Sequence, residues 1–245
     1  MDADKKLESA AIAILTRAVS LDKANRYTES LVCYQEGITL LMDNWKGLPA
    51  GRKKDAMKEK IEEYMTRAEQ IKKVISEKKE SGTYHEEIVI ENDSKGHSYE
   101  SVMGRFLGSD VESVRIEDPY IRLHHQFCNL IQFCELVVKK CKNLKMIYVL
   151  TGKDSDKCQE QDVWFKTLKK DLNDNYSIKM EYEFSSTLHD RQIVLSNGWQ
   201  IKIGRGLDYF KAPDVKHGLG AFDTDFRHCK ETKVDIFHQK DTKKS

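Results

Sequence analysis

The segment from Ser185 to Phe210, SSTLHDRQIVLSNGWQIKIGRGLDYF, contains residue types that can carry out phosphate chemistry. His189 precedes the cation Arg191 by two residues, and a polar, glycine-containing break and a basic strand follow. A histidine can attack phosphorus, and a cation beside it can neutralise a phosphate oxygen. Three interpretations are open: a site that cleaves phosphodiesters, a disabled site that only holds phosphate, and a strand pair whose polar residues have no ligand.

The same region carries a local excess of cations. Between His189 and His217 the acids are Asp190, Asp208 and Asp214, and the cations are Arg191, Lys202, Arg205, Lys211 and Lys216. The aromatic residues among them are Trp199, Tyr209 and Phe210. Cations beside aromatic side chains suit a phospholipid headgroup interface, and they also suit single-stranded nucleic acid. Because Lys202 and Arg205 lie on a predicted strand and the turn after it, we expect them to converge with Arg191 on one anion.

A second group of candidate ligands follows the predicted strand SVRIEDPYI. Asp118, Pro119 and Tyr120 stand at its carboxyl end, where α/β sheets gather ligands. Arg122 and His124 come next and can reach the same pocket. The pattern also fits a helix start, with Asp118 as the cap and Pro119 at the first helical position. The start signal favours the cap, and the two roles can coexist.

Composition narrows the class of protein. The chain has 245 residues, 39% of them hydrophobic and 33% charged, with a formal net charge of only +1. Any affinity for an anionic partner must therefore come from a local patch. No apolar run approaches the roughly 20 residues that span a bilayer, and from its charges we expect the N-terminal segment not to act as a signal peptide. The six cysteines form no CxxC pair, so we expect reduced thiols and no metal or cofactor.

Apolar spacing changes along the chain and indicates two domains. Up to about Lys79, apolar residues recur every three or four positions in three stripes, separated by breaks at 25–26 and 47–51. Short links between such helices predict an antiparallel three-helix bundle over residues 1–80. From Ser81, strand-like runs surround the helix HHQFCNLIQFCELVVKKC, which predicts an α/β or α+β sheet domain over residues 81–245. Two of those strands, SVRIEDPYI and KMIYVLT, have the composition of strands buried on both faces.

Two segments of the helical half carry a family resemblance. RAVSLDKANRYTESLVCYQEGITLL and KIEEYMTRAEQIKKVI are similar to the microtubule-interacting and trafficking (MIT) domain. Its features are an Ala-x3-Asp turn, a Tyr that starts the second helix, and Tyr-x2-Arg-Ala-Glu on the third. The resemblance implies binding of C-terminal tail motifs of ESCRT-III subunits in a groove between helices two and three. Met65 occupies the family's groove-floor position, and the implied peptide-binding residues are Met65, Ile61, Glu62 and Glu69. The alternative is that Met65 is ordinary core and the acids are solvated.

The sheet half resembles the phospholipase-D-like family. Its enzymes carry His-x-Lys, four residues, an Asp that orients the His, six residues and a Gly. His189 and Arg191 fit the first two places, but the Asp position is Ser196 at strict spacing and Asn197 with one insertion. The resemblance therefore implies a mixed sheet with flanking helices that holds phosphate without cutting it. The implied lipid- or phosphate-binding residues are His189, Arg191, Lys202, Arg205, Lys211 and Arg122.

Together the two halves are similar to proteins in which an MIT domain precedes one degenerate phospholipase-D-like domain. That resemblance implies a non-enzymatic, cytoplasmic adaptor that binds ESCRT-III tails and acidic, phosphoinositide-containing membranes and dimerises through its second domain. It also implies a place at the late endosome membrane and the midbody and a role in cytokinetic abscission. We do not expect nucleic acid as a partner. The alternative is a dimeric phosphodiesterase acting on lipid or nucleic acid, in which a homodimer pairs two copies of the motif.

Overall fold

The chain divides into two compact units, Met1–Glu86 and Glu87–Ser245. The structure is a computed structural model that describes residues 2–153, 158–213, 215 and 217–239. The sequence-predicted boundary at residue 80 falls in the last turn of the third helix, a few residues before this division. Among the described residues, no helix is both long enough and apolar enough to cross a membrane.

The first unit is the predicted bundle of three helices, which confirms this part of the fold. The helices are α1 (Asp2–Lys23), α2 (Tyr27–Gly47) and α3 (Arg52–Ser81). Their apolar stripes form one core that includes Leu15, Tyr34, Ile38, Ile61, Ile71 and Ile75. Gly37 lets α1 and α2 approach closely, because a Cβ at this position would lie 2.6 Å from Leu15 Cγ.

Two residues of the family motifs join α1 to α3. The Arg67 guanidinium donates hydrogen bonds to both carboxylate oxygens of Asp22, at 2.7 and 2.8 Å. A bidentate pair of this kind fixes orientation as well as distance. The hydrogen bond from Arg67 to Asp22 raises the pKa of the guanidinium further above its ordinary value. The Asp of the first motif and the Arg of the third-helix motif therefore join α1 to α3 within the bundle.

The chain from His85 onward, two residues before the division, forms a seven-stranded mixed sheet in the order β1-β7-β6-β5-β2-β3-β4. The strands are β1 (His85–Ile90), β2 (Ser113–Asp118), β3 (Met146–Thr151), β4 (Lys179–Phe184), β5 (Gln192–Leu195), β6 (Trp199–Ile203) and β7 (Thr232–His238). Strands β2, β3 and β4 are parallel, whereas β5 is antiparallel to β2 and β6 pairs with antiparallel β5 and β7. β2 is therefore the strand at which the sheet changes from parallel to antiparallel pairing.

Helices cover one face of this sheet. They are α4 (Tyr99–Met103), α5 (His124–Lys140) and α6 (Cys158–Tyr176). Because α5 and α6 each connect neighbouring parallel strands through right-handed crossovers, both lie on the same face. The sequence patterns predict no element where α6 forms, although its buried residues Phe165, Leu168 and Leu172 have helical spacing.

The opposite face of the sheet is open, which corrects the expectation that β2 and β3 are buried on both faces. In β2, Val114 and Ile116 are buried and Arg115 between them is exposed. Arg115 donates a 2.6 Å hydrogen bond to Glu117 on this open face. Along both strands, buried residues alternate with more exposed ones, because the crossover helices cover one face of the sheet and leave the other to solvent. The prediction of fully buried strands rested only on their apolar residue types.

Candidate binding sites

The carboxyl end of β2 is the point where ligand-binding loops are expected to gather in a sheet of this topology. On the side of β3 this crevice is closed by one side chain of α6. Gln161, which is fully buried, donates from Nε2 to Ile121 O (2.8 Å) and Gly152 O (2.9 Å). The amide thereby ties the loop after β2 to the loop after β3. The candidate site lies on the other side of β2, toward β5.

Asp118, the last residue of β2, is the buried centre of that side. Its carboxylate accepts from Tyr120 N (2.9 Å) and Leu207 N (3.2 Å). Gly206 lies directly against it, since a Cβ there would be 1.9 Å from Oδ2. Burial raises the pKa of the Asp118 carboxyl, and the two amides and the charge of Arg191 oppose that rise. Asp118 is thus a structural tie between two loops.

The predicted helix cap at Asp118 is wrong. Helix α5 begins at His124, with Leu123 as the residue before it. The side chain of Gln126 accepts from the amides of Arg122 (3.2 Å) and Leu123 (3.0 Å), so it satisfies the donors at this helix end. The sequence pattern misled because the loop after Pro119 runs on for several residues before the helix starts.

Two of the predicted cations, Arg122 and Arg191, meet beside Asp118. The guanidinium carbons of Arg191 and Arg122 lie 4.3 and 5.6 Å from the centroid of the Tyr120 ring. Arg122 also donates to Pro119 O at 2.8 Å, and Arg191 donates to Gly204 O. Within the part of the chain that is described, neither guanidinium forms a salt bridge with a carboxylate. We call Arg122, Tyr120 and Arg191 the arginine pair site; it gathers positive charge beside an exposed aromatic ring.

His189 is exposed and lies in the loop that leads to β5. The two residues proposed for the family's acid position lie at the other end of that strand. Ser196 Oγ accepts from the amides of Glu112 and Ser113, and Asn197 Nδ2 donates to Phe106 O. Because β5 separates them from His189, no side chain at either position can orient this histidine. The missing acid therefore says nothing about the chemistry at His189, which corrects the reasoning from the motif.

The remaining predicted cations do not join the arginine pair site as expected. Lys202 pairs with Gln192 and Asp235 in the sheet, so its side chain projects from the open face. Arg191 is two residues from buried Ile193, so it lies on the opposite face, which the helices cover. Lys211 forms a 2.6 Å salt bridge with Asp93 and lowers the pKa of that carboxyl. Arg205 is exposed and donates to Glu231 O at 2.9 Å. Lys216 and Asp214, counted in the local charge, lie outside the described residues.

One polar cluster near the arginine pair site was not foreseen. Asp208 accepts from Asn129 Nδ2 (3.2 Å) and Lys230 Nζ (3.1 Å), and His125 Nε2 lies 3.7 Å from its carboxylate. Asn129 is buried and His125 is exposed. The only signal in the sequence was the pair of histidines in RLHHQF, and no spacing rule connects them to residues some eighty positions later.

In the helical unit, the predicted peptide site lies on one outward face of α3. Met65 is 43% exposed, and Glu62 and Glu69 share its face at spacings of three and four residues. Glu62 also lies 3.7 Å from Lys58 Nζ. Ile61 was predicted to bind the peptide, but it is only 6% exposed and belongs to the bundle core. It therefore cannot make a broad contact with a ligand. The interpretation of Met65 as ordinary core does not fit its exposure.

A separate groove of about 640 Å³ lies between α1 and α3. Its lining includes Ile12 and Val19 from α1 and Ala56, Lys60 and Tyr64 from α3. Ile12 is 57% exposed. Met65 does not line this groove, so α3 presents two distinct surfaces, one on each side of its buried stripe.

Comparison with known proteins agrees with this architecture. Residues 8–73 match the family described as the MIT (microtubule interacting and transport) domain, and residues 96–238 match the family described as the phospholipase D-like domain at the C-terminus of MIT. A curated relative, MIT domain-containing protein 1 of Mus musculus, is 46% identical over 237 residues, which cover 96% of this chain and 95% of the relative. The chain therefore belongs to the family of proteins that join an MIT domain to a C-terminal phospholipase D-like domain.

Proposed function

We propose that this protein is a non-enzymatic adaptor. Its helical unit binds the C-terminal tails of ESCRT-III subunits, and its sheet unit binds acidic, phosphoinositide-containing membranes as a homodimer. The observation that supports the membrane half is the arginine pair site, where two guanidiniums gather at one aromatic ring and, among the described residues, form no salt bridge with a carboxylate.

The arginine pair site of one subunit should bind a membrane only weakly, so useful affinity requires two copies of the site. Each cation near an anionic leaflet contributes roughly 1 kcal/mol, so two arginines give a weak site in one subunit. A dimer doubles the number of contacts and gains affinity from effective concentration. Tyr120 is 46% exposed and has the amphipathic character of residues found at headgroup level.

Several features of the sheet unit argue for binding rather than for turnover. Arg191, which takes the place of the family's Lys, is held by the Tyr120 ring and the Gly204 carbonyl. His189 is exposed, and none of the hydrogen bonds described for this chain joins it to an orienting acid. A dimeric phosphodiesterase would need both groups poised over one phosphorus atom.

The test of the membrane half uses the full chain and flotation with vesicles. Wild type should float with phosphatidylcholine vesicles that contain phosphoinositide and should not float with phosphatidylcholine alone. Arg122→Gln/Arg191→Gln should lose most of this binding, whereas the matched control Arg115→Gln, on the open face of the sheet, should retain it. Binding unchanged in the double variant would remove the arginine pair site from the membrane contact.

The same preparations separate the adaptor from the phosphodiesterase. Incubation with a chromogenic phosphodiester should release no product above the background measured with His189→Ala. Turnover that disappears in His189→Ala would contradict the adaptor proposal. Flotation of His189→Ala should remain close to that of wild type.

The test of the helical half is a peptide titration of the full chain. Met65→Asp should leave the bundle folded, because Met65 lies outside the core, and should abolish binding of ESCRT-III tail peptides. The matched variant Ile12→Asp places the same charge in the groove between α1 and α3. Loss of binding in Ile12→Asp with full binding in Met65→Asp would assign the peptide to that groove instead.

The cellular setting belongs to the same proposal: a cytoplasmic protein, peripheral on the late endosome membrane and the midbody, that acts in cytokinetic abscission. Fluorescently labelled chain in dividing cells provides the measurement. Wild type should gather at the midbody, and Met65→Asp should stay diffuse. Midbody recruitment of the variant would separate localisation from tail binding.

A further inference from the structure

The most exposed apolar side chains of the sheet unit lie on one turn between Phe210 and β7. Leu219 is 82% exposed and Phe222 is 94% exposed, so both make almost no contact with the rest of the protein. Phe226, a few residues further on, is 50% exposed. Large apolar side chains that are exposed to this degree, and together, are typical of surfaces that enter another apolar phase.

This exposure is fixed by the backbone. The Arg227 guanidinium donates from Nε to Gly220 O and from Nη2 to Ala221 O, both at 2.8 Å. Gly220 has a φ of +87°, and a Cβ there would lie 3.1 Å from Phe226 O. These contacts hold the backbone of the turn at Gly220 and Ala221, between Leu219 and Phe222 in the sequence.

Acidic residues flank the apolar tip of this turn, residues 217–222, but do not lie within it. Residues 217–222, HGLGAF, contain His217 and no acidic residue. The next carboxylates are hydrogen-bonded to the protein: Asp223 accepts from Asp225 N, and Asp225 accepts from Ser98 N, each at 2.9 Å. Both carboxylates stay charged and line one cavity with Phe222, Glu100, Glu135 and Lys139, so the apolar contact of the tip must outweigh this nearby negative charge.

The size of the tip decides what covers it. A stable protein–protein interface buries roughly 1,200–2,000 Å², whereas one aromatic side chain buries roughly 150–250 Å². Two side chains on one turn bury too little area to hold a protein partner or a second copy by themselves. They suit a lipid layer, which surrounds a protruding side chain without needing a complementary shape.

We propose that Leu219 and Phe222 insert into the interfacial layer of a phospholipid membrane when the sheet unit binds acidic lipid. This inference rests on the membrane contact proposed above and adds an apolar anchor to an electrostatic one. The combination of two weak signals on one unit is what stable peripheral binding requires.

Insertion is measured with Phe222→Trp in the full chain and acidic vesicles whose acyl chains carry bromine, which quenches tryptophan on contact. The chain has three native Trp residues, so wild type gives the baseline. Phe222→Trp should add a component that is quenched, whereas Tyr176→Trp, at a 54% exposed position on α6, should add none. Equal quenching of the two variants would overturn the proposal.

Affinity is the second readout. Leu219→Ser/Phe222→Ser should bind acidic vesicles at least about tenfold more weakly than wild type, since two buried apolar side chains are lost. The control Val163→Ser/Tyr176→Ser removes two exposed apolar side chains from α6 and should bind as wild type does. Thermal melts of both double variants should match wild type, because the replaced side chains have few protein contacts.

The failures are distinguishable. If wild type does not bind acidic vesicles, the membrane function fails and insertion fails with it. If wild type binds while Phe222→Trp is unquenched and Leu219→Ser/Phe222→Ser keeps full affinity, insertion is wrong and the membrane function stands. If the double serine variant changes from dimer to monomer in sedimentation and Phe222→Trp is unquenched, the turn is an interface between copies, which also overturns the proposal.

Discussion

Asp118 and Gly206 depend on each other at the end of β2. The carboxylate of Asp118 occupies the space that a Cβ on Gly206 would need, 1.9 Å from Oδ2. Gly206 also has a φ of +61°, in the left-handed region that side chains avoid. Sequence reading could place Asp118 at a strand end, but it could not show that a glycine nearly ninety residues later completes its surroundings.

Gly206→Ala should destabilise the sheet unit strongly. The left-handed backbone alone costs about 1–3 kcal/mol for a residue with a side chain, and displacement of Asp118 adds to that cost. The matched control is Gly96→Ala, because Gly96 also has a positive φ, +81°, but its Cβ would meet nothing within 4 Å. The free energy of unfolding, measured by urea denaturation, should be much lower for Gly206→Ala than for Gly96→Ala. Equal losses would mean that contact with Asp118 has no weight.

The buried carboxyl of Asp118 makes the stability of the folded protein depend on pH, and the direction of this dependence can be stated. Burial raises its pKa in the folded state above the ordinary Asp value of about 3.9. Between these two values the folded state binds more proton than the unfolded state, so this group's contribution to stability falls as pH rises through the window.

Wild type should therefore lose stability relative to Asp118→Asn as pH rises through this window, since the variant has no group to ionise. The measurement is the difference in unfolding free energy between the two proteins across the acidic range up to neutral pH. A difference that moves in wild type's favour as pH rises would show that Arg191 and the two amides outweigh burial.

At the scale of elements, periodicity predicted most of what formed, and it failed where contacts distant in sequence decide. The three apolar stripes predicted the three helices, and the strand-like runs predicted strands that end at the turns between them. Helix α6 was missed although Phe165, Leu168 and Leu172 have helical spacing, because charged residues dominate the segment around them. The arginine pair site could not be read either, since Arg122 and Arg191 meet only through the β2–β5 pairing.

Gln161 links α6 to the sheet in a way that composition does not reveal. Gln161→Leu should leave the carbonyls of Ile121 and Gly152 buried without this donor, at a cost of about 1–3 kcal/mol each. The control Gln159→Leu, at an exposed position of the same helix, should change the unfolding free energy by less than about 0.5 kcal/mol. Chemical denaturation measures both, and equal effects would show that water replaces the lost amide.

At the scale of the whole molecule, the two units matter most when their targets lie on one surface. Vesicles that carry both acidic lipid and tethered ESCRT-III tail peptide should bind the full chain roughly 100-fold or more tightly than vesicles with either alone, because the second contact is intramolecular. Met65→Asp should reduce the doubly decorated vesicles to the affinity of acidic lipid alone. Vesicle titrations that give only the sum of the two separate affinities would contradict coincidence detection.

The pairing of β1 with β7 has a consequence for how the protein is made. β1 is the first strand of the sheet to be synthesised, and its neighbour in the sheet is the last, Thr232–His238. The helical unit is compact within the first 86 residues, so its three helices can pack before the sheet is complete. The edge of β1 stays unpaired until residues 91–231 and then β7 have been synthesised, so the growing chain exposes a strand edge that a chaperone can protect.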